Sequence, residues 1–173
     1  MSDEKVISNT EQNRTTFRPP ARGKKHMAVS GHALATQAAM RILDKGGNAV
    51  DAGVAGTFCL AVLQPDMVSF AGVAPLIIHD ARSGDYRTIT GLGCWPKAAT
   101  TEYFIENHRG ELPMGILRTV VPGLPDACLQ DLEQYGTMSF TAVIADGRDL
   151  AAHGCPRAPF LSNGFPESGE RYR

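Results

Sequence analysis

Several absences narrow this 173-residue chain before anything present is considered. It contains no His-Glu-x-x-His run, no Gly-x-Ser-x-Gly elbow, no P-loop and no Gly-x-Gly-x-x-Gly fingerprint. The familiar short signatures of metal, serine and nucleotide chemistry are therefore missing. Cys59, Cys94, Cys128 and Cys155 are widely spaced and form no Cys-x-x-Cys pair, so no zinc or redox motif is supported. No metal and no cofactor is expected. Two disulfides would match the count, but residues 1–17 lack the apolar core of a secretory signal, which leaves a cytoplasmic, reduced chain as the default. Apolar runs are short: the longest, residues 54–63, is broken by Gly56 and Thr57. A bilayer span needs roughly 20 apolar residues, so no membrane segment is expected. A net charge of −1 and an aromatic content of 7% supply neither the field nor the stacking platform that nucleic-acid binding needs.

What is present is organised around residues 32–64. Apolar positions at 34/35, 38/39 and 42/43 follow a helical period, with Thr36, Gln37, Arg41 and Asp44 on the opposite side. Gly46 and Gly47 provide the positive-φ stop that helix C-termini favour. Asn48 follows as an N-cap, and Asp51, three residues on, completes a capping-box spacing at the positive end of the next helix dipole. That helix, residues 49–63, carries Asp51 as its only charge and is expected to be buried nearly all round. The pair reads as a buried helical hairpin with no chemistry of its own.

The flanking sequence extends this pattern. Residues 1–26 are polar and basic at their end, and read as a disordered tail that cannot bury enough surface to offset its ordering entropy. Residues 27–30 form a short strand candidate, with His32 at the strand-to-helix junction, where a capping or packing role is favoured over contact with an anionic ligand. Residues 76–80 and 86–90 flank a turn at 81–85 and predict a β-hairpin. Asp66, His79 and Asp80 sit at its ends as charges expected to be solvated. A Gly-containing loop at 91–96 precedes a helix over 101–107 capped by Thr100 or Thr101. Pro125 opens a helix that runs to Tyr135 and stops at Gly136. Ser139 caps a last helix over 140–153, weakened by Gly147 and ended by Gly154. Residues 161–173 read as an irregular tail. The class is α+β, mostly helical with one hairpin, and an isolated hairpin is marginal in water, so a further strand is expected from elsewhere.

The run from His32 through Leu34-Ala35-Thr36-Gln37 to Gly46-Gly47-Asn48-Ala49-Val50-Asp51-Ala52 resembles the N-terminal signature of the γ-glutamyltranspeptidase family. Collinear weaker matches follow at Pro96, Val121-Pro122-Gly123, Tyr135-Gly136 and Leu150 to Pro156, so the resemblance covers residues 27–160. It implies the N-terminal portion of an αββα sandwich of the Ntn-hydrolase type, made as one precursor that cleaves itself into two subunits. The implied nucleophile is the N-terminal threonine of a small-subunit partner, with its own α-amine as base. The implied substrate is a small amide or a γ-glutamyl group. No catalytic residue is assigned within this chain, since Thr57, Thr119 and Thr137 have no reason to become N-termini, and Cys59 has no visible base.

Two departures from the family pattern fall on the candidate substrate-binding residues. Leu92, followed by Gly93 and Cys94, stands where the family carries an arginine for the substrate carboxylate, and leucine cannot hydrogen-bond a carboxylate. The glycine-dense family run is here Ser69-Phe70-Ala71-Gly72-Val73-Ala74-Pro75, which loses most of its freedom for close backbone approach. Ser69, Gly72, Leu92, Gly93, Cys94 and His32 are accordingly the candidate ligand-side positions. An amidohydrolase of the same superfamily, a degenerate chain without catalysis, and an unrelated helical interaction module are the alternatives.

Overall fold

The computed structural model describes residues 20–156. Most of the expected N-terminal tail and all of residues 161–173 lie outside the described residues. The elements in chain order are α1 (Ala33–Asp44), α2 (Ala49–Leu63), β1 (Leu76–Asp80), β2 (Asp85–Ile89), α3 (Thr101–His108), a 3-10 turn (Ile116–Arg118), α4 (Leu124–Tyr135), α5 (Phe140–Val143) and α6 (Ala145–His153).

The α1–α2 hairpin forms through the local chemistry its sequence encodes. Gly46 takes φ +92°, and the 46 and 47 N–H groups donate to Leu43 and Ile42 O at 3.1 and 3.0 Å. This is the Schellman pattern, which satisfies the last carbonyls of α1. Asn48 Oδ1 accepts from Val50 N and Asp51 N, while Asp51 Oδ2 accepts from Asn48 N at 2.8 Å. The capping box is complete. Burial of α2 is extensive but not uniform: Val50, Ala52, Val54, Ala55, Phe58, Cys59 and Leu63 are buried, whereas Gly53 faces outward. That outer stripe borders a cavity of about 470 Å³ between residues 26–30 and the two helices.

The main core joins α2 to α4 and the hairpin. Val54, Ala55 and Phe58 pack with Leu124, Ala127, Cys128, Leu132 and Val143, and Leu76, Ile78 and Ile89 lean onto this cluster. β1 and β2 pair antiparallel with Ile78 opposite Arg87, and β2 begins one residue earlier than expected. A smaller cluster of Ala35, Ala38, Cys59 and Leu63 lies against Leu150 of α6 and Cys155.

Two expectations are corrected. Residues 27–30 form no strand, because no neighbouring strand among the described residues supplies ladder partners, and Val29 is 93% exposed. The last helix is two: Ile144, at φ −85° and ψ 0°, separates α5 from α6. Gly147, an interruption of the apolar stripe in the sequence, is where α6 comes close to α2: an added Cβ would lie 3.2 Å from the Phe58 carbonyl carbon. The turn at Ile116–Arg118 had no sequence signal.

The buried charge Asp51 has no exposed surface, and it ties α2 to the chain after α4. Besides Asn48 N, it accepts from Thr137 N at 3.0 Å, Thr137 Oγ1 at 2.6 Å and Met138 N at 3.2 Å. Asn48 Nδ2 donates to Tyr135 O at 2.6 Å, closing the same junction. Burial pushes the Asp51 carboxyl upward, but the bonds from the Thr137 hydroxyl and the Asn48, Met138 and Thr137 N–H groups outweigh it and hold it below its ordinary value. A depressed folded value contributes stability that is complete above the unfolded value, roughly pH 4, and is lost as pH falls through the folded one.

Asp51→Asn is therefore expected to cost about 3 kcal/mol at pH 7, and Thr137→Ala about 1 kcal/mol. Urea unfolding followed by Trp95 fluorescence measures both, and the Asp51→Asn penalty should shrink below pH 4. Thiol labelling of the native chain provides a separate check. Cys94 is exposed while Cys59 and Cys128 are buried, so Cys94 should react first and the other two only after denaturation.

Candidate functional site

Three stretches of backbone that are far apart in sequence meet in one place. Residues 69–72 make a tight turn in which Ser69 Oγ accepts from Ala71 N at 3.1 Å, and Ser69 O accepts from Gly72 N at 2.9 Å. Gly72 O then accepts from Gly123 N and Leu124 N at 3.2 and 3.1 Å, at the start of α4. Gly91 O accepts from Ala74 N, and Cys94 O accepts from Val121 N, each at 2.8 Å. The result is a junction of residues 69–74, 91–94 and 121–124. Phe70 fastens it to α2, with its ring 5.1 Å from Phe58 in an edge-to-face contact.

Glycine is required at the two points where the chains touch most closely. Gly91 has φ +51°, and an added Cβ would sit 2.1 Å from Ala74 O. Gly93 has φ +74°, with a Cβ placed 2.0 Å from Val121 O. No side chain fits either position without moving the backbone. Gly72 serves the tight turn that Ser69 closes.

The six sequence candidates divide accordingly. Ser69, Gly72, Leu92, Gly93 and Cys94 are brought together by the junction. His32 is not joined to it by any hydrogen bond among the described residues. Its Nδ1 accepts from Leu34 N at 3.2 Å, and its carbonyl accepts from Thr36 N, so it caps α1. Residues 121–124 complete the junction and were missed as site residues. Val121-Pro122-Gly123 was visible only as a motif match, and no local pattern marks it as the partner of Gly72 and Cys94.

The side chains around the junction are apolar. Leu92 is 53% exposed and Cys94 is exposed. Next to them Trp95 meets Phe104 edge-on at 5.7 Å. A groove of about 320 Å³ runs from there, lined by Trp95, Ala99, Thr101, Phe104, Ile105, Gly110 and Leu112. Its lining carries no charge. The buried thiols supply no nucleophile at neutral pH: burial, with the charge of Asp146, pushes Cys59 up to about 11 against the pull of Arg41. Burial and the charge of Asp131 push Cys128 up to about 11. Among the described residues no three His, Cys, Asp or Glu side chains cluster to hold a metal, and no helix is long and apolar enough to cross a membrane. At the hairpin, the His79 and Tyr86 rings lie 4.7 Å apart across the strands, and Asp80 accepts from Arg82 N at 2.9 Å in the turn.

Known proteins share both the sequence and this fold. The glutathione hydrolase-like YwrD proenzyme of Bacillus subtilis (strain 168) is 36% identical over 153 residues, which is 87% of this chain and 27% of that protein. The acylase ACY 1 proenzyme of Pseudomonas sp. (strain SE83) is 33% identical over 159 residues, 86% of this chain and 28% of that one. The chain spans about a quarter of the length of these relatives. Among solved structures, the γ-glutamyltranspeptidase of Helicobacter pylori superposes with a TM-score of 0.79 at 30% identity, covering 88% of this chain and 45% of that one. The α+β arrangement of helices around one hairpin is thus a portion of an Ntn-hydrolase fold. The profile described as gamma-glutamyltranspeptidase matches residues 35–171. With that profile over most of the chain and relatives of this identity, the chain belongs to the γ-glutamyltranspeptidase family.

Proposed function

We propose that the chain is the N-terminal, ligand-side portion of an Ntn-type amidohydrolase that hydrolyses or transfers a small acyl group. The nucleophilic threonine and its α-amine belong to a small-subunit segment outside this chain. Three observations support that placement. The chain spans about a quarter of relatives named as proenzymes. Its internal threonines are chain-interior residues, with Thr137 committed to Asp51. Its buried thiols are held protonated.

One observation carries the substrate reading: Leu92 stands exposed on the loop where the resemblance places a carboxylate-binding arginine. A fork of charge-assisted hydrogen bonds to a carboxylate is a strong contact, and leucine offers none. The neighbouring groove from Trp95 to Leu112 is uncharged. An acyl group without an α-carboxylate suits this surface better than a γ-glutamyl group, since a desolvated carboxylate would be left unpaired. Ser69, Gly72, Gly93 and Cys94 contribute backbone position rather than reactive groups. In this reading residues 27–160 form the large-subunit portion, and the partner supplies all bond-making chemistry.

The purified chain alone should release no aniline from a γ-glutamyl anilide or a phenylacetyl anilide, and turnover by it alone would show that the nucleophile lies within residues 1–173. When the chain is supplied with its threonine-bearing segment, the phenylacetyl compound should be the better substrate. Leu92→Arg should then raise kcat/KM for the γ-glutamyl anilide about 10-fold, mainly through KM. A wild-type preference for the γ-glutamyl compound would sink the substrate reading while leaving the threonine placement intact.

A further inference from the structure

The α2–α4 junction holds a second buried carboxylate whose chemistry is not explained by the fold. Asp131, on the inner face of α4, is 3% exposed, and its Oδ1 is buried without a hydrogen-bond partner. Ionisation would place charge on an Oδ1 that is desolvated and unpaired among the described residues, a cost that a proton removes. Among the described residues no cation bears on it. From α2 the group facing it is Asp51, a like charge, and on α4 itself Cys128 lies one turn back and Tyr135 one turn on. The side chains that the hairpin and α1 contribute to the adjacent core are apolar. A proton on Asp131 relieves both the desolvation of Oδ1 and the like charge of Asp51.

We propose that Asp131 is held as the neutral acid in the folded chain and acts as a proton-dependent latch, whose ionisation against Asp51 loosens α4 and, through it, the glycine junction. The lever is continuous. The C-terminal end of α4 is tied to Asp51 and Asn48 through Tyr135 and Thr137. Its N-terminal end donates Gly123 N and Leu124 N to Gly72 O, and the preceding Val121 N binds Cys94 O. A shift of α4 therefore reaches both the 69–72 turn and the 91–94 loop.

Burial first, and then the charge of Asp51, push the Asp131 carboxyl above the ordinary carboxylate value. A raised folded value means that stability falls as pH climbs from about 4 through the folded titration, then levels. Asp51 acts below that window and in the opposite direction, so the two are separable.

The test measures urea midpoints of the full chain from pH 4 to 9, for wild type and Asp131→Asn, with the emission of Trp95, the single tryptophan, as a loop reporter. The wild-type midpoint should fall with rising pH and the Trp95 emission should shift with the same midpoint. Asp131→Asn, the neutral isostere, should flatten both curves and have the higher midpoint above pH 7. Parallel curves for the two chains, or a Trp95 shift that persists in Asp131→Asn, would overturn the latch. Should the asparagine variant fail to fold, the carbon-13 carboxyl resonance of Asp131 in the wild type decides. A protonated signal at pH 6 supports the proposal, and titration in the ordinary range near pH 4 refutes it.

Discussion

The carboxylate of Asp51 is the constraint on which the rest of this structure depends. A buried charge is tolerated only when its lone pairs are filled, and here Asn48 N, Thr137 N, Thr137 Oγ1 and Met138 N fill them. The Asn48 bond belongs to the α2 cap and is local. The Thr137 and Met138 bonds come from a loop 86 and 87 residues away in sequence, and they fix where α4 ends. Since α4 starts just after Gly123, on the glycine junction, the cap of one helix is tied through α4 to the candidate substrate loop. Packing of Phe58 against Phe70 and Phe140 reinforces the same geometry from the apolar side.

That arrangement explains why the ligand-side surface is made of backbone rather than reactive side chains. Gly91 and Gly93 carry the loop past Ala74 and Val121 at distances no Cβ would allow. The loop is therefore pinned at both ends by main-chain hydrogen bonds while Leu92 and Cys94 remain outside. Both side chains are thus held in place by backbone contacts and open to solvent.

Legibility in the sequence followed the range of the interactions involved. The α1 stop at Gly46, the Asn48–Asp51 box, the hairpin and the Thr100 cap are contacts within a few residues, and their side-chain chemistry announced them. Residues 27–30 look like a strand by composition, yet a strand exists only with a partner, and none lies beside them among the described residues. Gly147 looks like a flaw in a helical stripe, because the contact that needs it, α6 against the backbone at Phe58, is invisible along the chain. The break at Ile144 is likewise set by packing and carries no glycine or proline to mark it.

By itself, then, the sequence determined the helical hairpin, the class and the family resemblance, since each rests on periodicity, capping or a contiguous motif. Only the tertiary structure decided that residues 121–124 belong with 69–74 and 91–94, because that junction is built from backbone bonds that leave no periodic trace. It also decided that His32 caps a helix and stands apart from the junction. The same holds for Asp131: one more acidic residue on a helix in the sequence, it becomes a buried, unpartnered carboxyl beside Asp51 once α4 is folded onto α2.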